Sequence, residues 1–220
     1  MDFSKIIEYI FLIPIALITL SVHECAHGYA AYKMGDPTAR NFGRLTLNPF
    51  KHLDLYGTVC MILFRFGWAK PVPINARNFK DPRKGMAITA AAGPASNLIL
   101  AFLAAICIKL LALLANTLIP QFQNDVLFYF FYYLILFFEL FHILNLSLCV
   151  FNLIPLPPLD GSRIFLAFLP PRLYFKVMRY ERVIQIALMV ALLFGAFSGV
   201  IQNVVEWLSA VMFKILFFIP

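Results

Sequence analysis

Long apolar runs constrain this chain more than any other feature, because they have the length of membrane-spanning helices. A helix rises about 1.5 Å per residue, so about 20 apolar residues cross the roughly 30 Å of hydrocarbon in a bilayer. We predict four such helices, at residues 6–31, 86–118, 126–153 and 183–205. Hydrophobic residues make up 62% of the 220 residues, compared with about 45–50% in soluble proteins. The sequence therefore predicts an all-α, multi-pass membrane protein, with residues 1–220 forming one domain.

The basic residues fall into two blocks between the apolar runs. Ten of the eighteen lie in residues 33–84, and the second block consists of Arg163, Arg172, Lys176, Arg179 and Arg182. Lys and Arg are enriched in cytoplasmic loops, so both blocks are predicted to face the cytoplasm. This pattern accounts for the net charge of +7 without a nucleic-acid partner, and none is expected.

Two parts of the loop at residues 33–84 and one part of the C-terminal region are predicted to lie at or beside the membrane. Residues 56–66 are apolar and favour a β-hairpin or a re-entrant segment, which survives at membrane depth only when protein shields it. Residues 68–74 alternate proline with apolar residues, as in an extended edge to which an unwound peptide adds as a strand. Residues 207–219 are predicted to form a short apolar tail that is interfacial or partly inserted into the membrane.

The first apolar run contains two histidines and a glutamate in the pattern H-E-x-x-H. His23 and His27 are four residues apart, so a helix places both imidazoles on one face, where they can share a metal ion. Glu24 lies beside them and is available as a general base. Ionisable residues inside membrane helices are costly and usually mark a functional site. The alternative interpretation is a small polar patch that packs against neighbouring helices.

A catalytic zinc site usually has three protein ligands and one open position, so the two histidines require a third partner. The first and third predicted helices both end at the cytoplasmic side, which places Asp160 at the depth of the two histidines. His52 lies in a polar loop that could fold over the site. His142 and Glu139 lie on the third helix, several turns from its cytoplasmic end. We favour Asp160 and keep these three residues as alternatives.

Three motifs resemble, in order and spacing, those of the site-2 protease family of intramembrane zinc metalloproteases: His23-Glu24-x-x-His27, Gly93-Pro94-x-x-Asn97, and Asn152-x-x-Pro155-x-Pro157-x-x-Asp160-Gly161. Residues 44–49 with His52, and residues 67–73, are similar to segments of the compact prokaryotic members. The resemblance covers nearly the whole chain.

The resemblance implies one Zn²⁺ per chain, held by His23, His27 and Asp160, with Glu24 as general base and acid. Asn97 and Asn152 are expected to contact the substrate or the transition state. His52 is expected to support the zinc ligands without binding the zinc ion itself.

The predicted function is hydrolysis of peptide bonds in the transmembrane segments of membrane-protein substrates, as in regulated intramembrane proteolysis. The expected partners are those substrates and the lipid bilayer, in the cell membrane, with the active site nearer the cytoplasmic face. The sequence leaves homo-oligomerisation open. One alternative is a membrane zinc transporter with His142 and Glu139 as further ligands. Another is an inactive membrane scaffold, although a scaffold has no need of Glu24.

Overall fold

A computed structural model of the chain describes residues 3–54, 57 and 70–218, and helices dominate these residues. No β-strand is present in this part of the chain. Two 3-10 turns, Pro49–Lys51 and Ala76–Asn78, interrupt the loop after the first helix. The α-helices are α1 (Phe3–Lys33), α2 (Thr38–Asn41), α3 (Pro82–Phe122), α4 (Asp125–Asn152), α5 (Asp160–Leu166), α6 (Pro171–Arg179), α7 (Glu181–Leu193) and α8 (Ser198–Phe218).

The long helix α3 lies at the centre of the bundle, where it packs against α1, α4, α5 and α8. Its central turns present small side chains to these neighbours, and Ala101, Ala104 and Ala105 are buried. Small residues let membrane helices approach closely, which increases the van der Waals contact between them. Local signals fix the start of α3, because Pro82 occupies its first turn and the Asp81 carboxylate accepts hydrogen bonds from two backbone N–H groups.

Four of the described helices are long and apolar enough to cross a membrane, which confirms the predicted number of spans. They are Ile6–Lys33, Pro82–Phe122, Asp125–Asn152 and Ser198–Leu216. The first three correspond to the predicted runs at 6–31, 86–118 and 126–153. The chain is a multi-pass membrane protein in a lipid bilayer.

The predicted fourth span at 183–205 is wrong, because the chain breaks in the middle of it. Gly195 and Phe197 have φ angles of +73° and +69°, and this left-handed conformation ends one helix and redirects the chain into the next. The helix before the break, α7, has 13 residues and is too short to span a bilayer. The spanning helix is α8, which begins at Ser198, so the predicted interfacial or partly inserted tail at 207–219 is also wrong. Residues 207–218 continue this helix.

The predicted hairpin or re-entrant segment at residues 56–66 lies, apart from Gly57, outside the described residues. Of the predicted extended edge at 68–74, residues 70–74 are described, and they are irregular rather than paired in a sheet. The Lys70 N–H donates to the His52 carbonyl at 2.8 Å. This bond joins the edge to the loop that follows α1.

Candidate metal centre

Two histidines on α1 and one aspartate on α5 meet inside the bundle. The Nε2 atoms of His23 and His27 lie 3.0 Å apart. The Asp160 Oδ2 atom lies 3.3 Å from the first and 3.2 Å from the second. Each histidine is only 7% exposed. Three potential ligand atoms, from parts of the chain more than 130 residues apart in sequence, therefore converge on one point.

The helix α3 fixes the orientation of the two imidazole rings. The His27 Nδ1–H donates to the Thr89 carbonyl at 2.7 Å, so in the neutral ring the lone pair is on Nε2, which faces the convergence point. Gly93 lies one turn further along α3, directly against both rings, and a Cβ atom there would overlap the ring atoms of His23 and His27. The absence of a side chain at Gly93 makes room for the two imidazoles.

The backbone places Asp160 at the start of a helix. Prolines at 155, 157 and 158 prevent α4 from continuing beyond Asn152, and the chain turns until α5 begins at Asp160. Gly161 lies so close to the Leu153 and Ile154 carbonyls that a Cβ atom would overlap them. The Asp-Gly pair therefore allows α5 to pack tightly against the end of α4.

The convergence suits a zinc ion in the identity and spacing of its ligand atoms. Zinc binds imidazole nitrogen and carboxylate oxygen at about 2.0–2.2 Å, which puts tetrahedral ligands about 3.3–3.5 Å from one another. The three separations found here are 3.0, 3.2 and 3.3 Å. Apart from the two imidazoles, Asp160 Oδ2 has no hydrogen-bond partner among the described residues, although it is buried. A buried polar atom without a partner is costly, and a metal ion would satisfy it.

Glu24 lies beside this group, and a backbone amide from the loop holds its carboxylate. The Val72 N–H donates to Glu24 Oε2 at 2.8 Å. The buried Arg44 guanidinium binds the Lys70 carbonyl at 2.6 Å, two residues before Val72. The Asp36 carboxylate accepts from the Asn75 N–H at 2.7 Å, three residues after it. The chain on either side of Val72 is thereby tied to the region that follows α1.

A cavity of about 550 Å³ opens onto the metal centre and Glu24. Apolar side chains form much of its wall, and an ion pair between Arg163 and Glu181, at 3.3 Å, lies at its α7 side. The cavity therefore contains the Glu24 carboxylate and the group of potential metal ligands.

Comparison with known proteins shows which family has this arrangement. Residues 10–198 match the family model described as "Peptidase family M50". The chain belongs to peptidase family M50. This M50 peptidase is also 43% identical over 171 residues to the Bacillus subtilis (strain 168) protein named "Putative zinc metalloprotease YwhC", and the match covers 78% of this chain and 74% of the relative. No solved structure matches the chain significantly.

Membership in M50 confirms the resemblance to the site-2 protease family that the three motifs predict, and it makes the chain a membrane metalloprotease. Its residues His23, His27 and Asp160 form the group that could hold a metal ion. That these residues are the zinc ligands, and that Glu24 is the base, stays a prediction to be tested.

The alternative third ligands lie elsewhere in the M50 peptidase. The His142 ring binds the Ala101 carbonyl and the Ser209 hydroxyl at 2.8 and 2.9 Å, so it joins α4 to α3 and α8. The His52 Nε2–H donates to the Thr46 carbonyl at 2.8 Å. Glu139 is exposed on α4. None of these three belongs to the group of potential ligands.

Of the three further residues predicted to act at the site, Asn152 lines the cavity, whereas Asn97 and His52 do not. Asn152 lines the cavity, and its amide donates to the Leu148 carbonyl at 3.0 Å. Asn97 is fully buried on α3, one turn beyond Gly93, and is not among the residues that line the cavity. His52 does not line it either, but its carbonyl holds Lys70 in the segment that carries Val72. The substrate contacts of Asn97 and Asn152 and the supporting role of His52 stay predictions.

Sequence reasoning missed several residues that shape the site. The contact of Val72 with Glu24, and those of Arg44 and Asp36 with the same loop segment, join residues far apart in sequence and carry no motif. Arg163 and Glu181 line the cavity, whereas the sequence suggested only a topology signal for Arg163. Gly93 did carry a signal, because it opens the Gly-Pro-x-x-Asn motif. Its proximity to the imidazoles could have been inferred from that motif.

Proposed function

We propose that this M50 peptidase hydrolyses peptide bonds in the transmembrane segments of other membrane proteins. In this proposal His23, His27 and Asp160 hold one zinc ion, and Glu24 transfers the proton. The observation that carries the proposal is the convergence of the three ligand atoms beside a carboxylate, in a cavity at the end of a membrane-spanning bundle.

Glu24 performs the proton transfer that hydrolysis requires. When bound, zinc would polarise the scissile carbonyl and lower the pKa of the attacking water towards about 7. Glu24 accepts a proton from that water as its oxygen attacks the carbonyl carbon, and then donates the proton to the nitrogen of the leaving amine. The Val72 N–H, 2.8 Å from Oε2, keeps the carboxylate directed at the cavity throughout. The overall reaction consumes one water and yields a carboxylate and an amine.

The segment at residues 70–74 is suited to binding an unwound substrate. The two prolines, Pro71 and Pro73, have no N–H, and the Val72 N–H is already bound to Glu24. Val72 and Ile74 both line the cavity, and among the described residues the Ile74 N–H has no backbone partner. A substrate strand would pair there, next to the base and the metal ligands.

We place the site near the cytoplasmic face of the membrane. The last turn of α1, the first turn of α3 and the end of α4 all lie at the same end of the bundle as the site, and this end bears the loop with ten of the basic residues. The positive-inside rule assigns this end to the cytoplasm. Water then reaches the cavity over a short distance.

A reconstituted cleavage assay tests the proposal. The purified protein is incorporated into vesicles with a panel of single-span membrane proteins, and the products are mapped by mass spectrometry. We expect cuts inside the apolar span, lost on zinc chelation and restored by zinc. Cuts confined to soluble flanking regions would contradict the proposal, as would full cleavage by the Glu24→Gln variant. Zinc flux without any cleavage would support the transporter instead.

A further inference from the structure

The helix α6 carries three basic side chains that the proposed reaction does not use. Arg172, Lys176 and Arg179 recur at spacings of four and three, so they lie along one face of the helix. All three are exposed. No ion pair between described residues involves any of them, whereas Arg163 nearby is paired with Glu181. The result is a strip of positive charge, which we call the α6 basic face.

The opposite face of α6 is apolar and only partly covered by protein. Val177 and Met178 are half-buried, and Leu173 is 49% exposed. Among the described elements, α6 has its main contact with its neighbour in sequence, α7, and that contact is small. A short helix with one basic face, one apolar face and little protein cover is typical of a segment that lies in the plane of a membrane interface.

The position of α6 in the bundle identifies which interface it meets. The Arg83 side chain donates to the Leu169 carbonyl at 3.4 Å, so α6 begins beside the first turn of α3. This is the end of the bundle that bears the basic loop, which the positive-inside rule places at the cytoplasm. The cytoplasmic leaflet carries anionic lipids that attract juxtamembrane basic segments.

We propose that the α6 basic face binds the headgroups of anionic phospholipids in the cytoplasmic leaflet. The phosphodiester oxygens would accept hydrogen bonds from Arg172, Lys176 and Arg179, while the apolar face enters the acyl-chain region. The bilayer is the occupant that uses both faces, because a soluble phosphate or polyanion would leave Leu173 in water.

Lipid bound at α6 would also influence the cavity. The helix lies between α5, which begins with Asp160, and α7, which begins with Glu181. Glu181 and its partner Arg163 both line the cavity. Fixing α6 in the interface therefore fixes the position of Glu181 at the cavity wall. This second step depends on the proposed function, whereas the lipid binding itself does not.

Native mass spectrometry of the full-length protein in detergent tests the binding. Phosphatidylglycerol is titrated, with phosphatidylcholine of the same acyl chains as reference, against the wild type and the triple variant Arg172→Gln, Lys176→Gln, Arg179→Gln. The matched control is Lys51→Gln, Arg77→Gln, Lys80→Gln, which removes the same charge from exposed positions in the other basic block. A basic side chain at an anionic surface is worth about fivefold in affinity. Three such side chains together correspond to about a hundredfold, so we expect the α6 variant to need on the order of a hundredfold more phosphatidylglycerol, and the control to resemble the wild type.

Equal retention of phosphatidylglycerol by wild type and α6 variant would overturn the proposal, and so would an equal loss in the control. Should the triple variant fail to fold, as judged by its elution profile and melting temperature, Lys176→Glu alone serves the same comparison. Cleavage in vesicles provides the second readout, and we expect phosphatidylglycerol to raise it in the wild type but not in the α6 variant. If no variant cleaves in any lipid but the difference in lipid retention persists, the proposed function fails and the lipid site stands.

Discussion

At the scale of single residues, the proposed function depends first on three atoms. The Nε2 atoms of His23 and His27 and the Oδ2 atom of Asp160 lie within hydrogen-bonding distance of one another, and both histidines are buried. Glu24 lies next to His23 in sequence but is held by a different partner, the Val72 N–H. In the proposed mechanism, metal binding and proton transfer therefore depend on separate contacts, so we expect mutation to separate the two properties.

The Glu24→Gln variant should keep its zinc and lose its activity. The amide retains the size of the side chain but cannot accept the proton, and loss of a general base typically costs about 10²–10⁴-fold in rate. Zinc content by elemental analysis and cleavage in vesicles are measured on the same preparation. Glu8→Gln, on an exposed position of the same helix, is the control and should behave as the wild type. Loss of zinc from Glu24→Gln would show that the glutamate is part of the metal site.

The Gly93→Ala variant should lose zinc although the change adds only a methyl group. The new Cβ atom would overlap both imidazole rings, so the rings must move apart or α3 must shift away from α1. Gly199→Ala, where nothing lies within 4 Å of the added Cβ atom, is the matched control. We expect zinc content near one per chain in the control and well below one in Gly93→Ala. Equal zinc content in the two variants would mean that α3 does not confine the rings.

At the scale of elements, the segment at residues 70–78 contacts the Glu24 side chain through the Val72 N–H. Arg44 binds its beginning and Asp36 binds its end, on either side of the residue that contacts Glu24. Asp36 is fully buried and also accepts a hydrogen bond from the Asn78 side chain at 2.7 Å. This segment is irregular, so these polar contacts, rather than a sheet, determine its position.

Arg44→Ala should reduce kcat while leaving zinc bound. Without the guanidinium, the Lys70 carbonyl loses its partner and Val72 is held less precisely against Glu24. Small displacements of this kind cost about tenfold to a hundredfold in rate. The comparison is with Arg77→Ala, which removes an exposed arginine from the same segment. A variant with normal kcat would show that the segment keeps its position without Arg44.

Asp36 should make the stability of the protein depend on pH in the acid range. Burial raises the pKa of its carboxyl group, but hydrogen bonds from Thr38, Asn78 and Asn75 outweigh it and hold the pKa below its ordinary value. The stabilisation is therefore complete above the unfolded-state pKa of about 3.9 and is lost as the pH falls through the folded-state value. We expect Asp36→Asn to melt at a lower temperature than wild type at pH 7, with the difference shrinking towards pH 3. A constant difference across this range would contradict the assignment.

At the scale of the whole molecule, the candidate metal centre joins elements that are distant in sequence. The proposed ligands come from α1 and α5, and α3 packs against both. A ligand that binds only the folded state stabilises it in proportion to the logarithm of its concentration relative to Kd. Zinc should therefore act as a crosslink within the bundle.

Chelation should lower the melting temperature of the wild type and leave that of Asp160→Ala unchanged, because the variant has no zinc to lose. Asp125→Asn, at the opposite end of α4 from the site, should respond to chelation as the wild type does. The measurement is thermal unfolding in detergent with and without chelator. A chelator effect of equal size in Asp160→Ala would place the stabilising metal elsewhere.

The sequence predicted the parts of this molecule that depend on local patterns. The H-E-x-x-H spacing places the two imidazoles together on any helix, and apolar length alone identified three of the four spans. The fourth span failed because continuous hydropathy hides the left-handed turn at Gly195 and Phe197. The hydrogen bond from Val72 to Glu24 could not be predicted from the sequence, for another reason. It joins residues 48 positions apart, and its donor is a backbone amide, which nearly every residue type has.

X-ray absorption at the zinc edge, on the purified protein, tests the central claim most directly. The account predicts one zinc per chain with two imidazole ligands and the remaining ligands oxygen, and with the bound zinc lost in Asp160→Ala. A spectrum with sulfur ligands, or one with a single imidazole, would contradict it, as would an unchanged spectrum in Asp160→Ala.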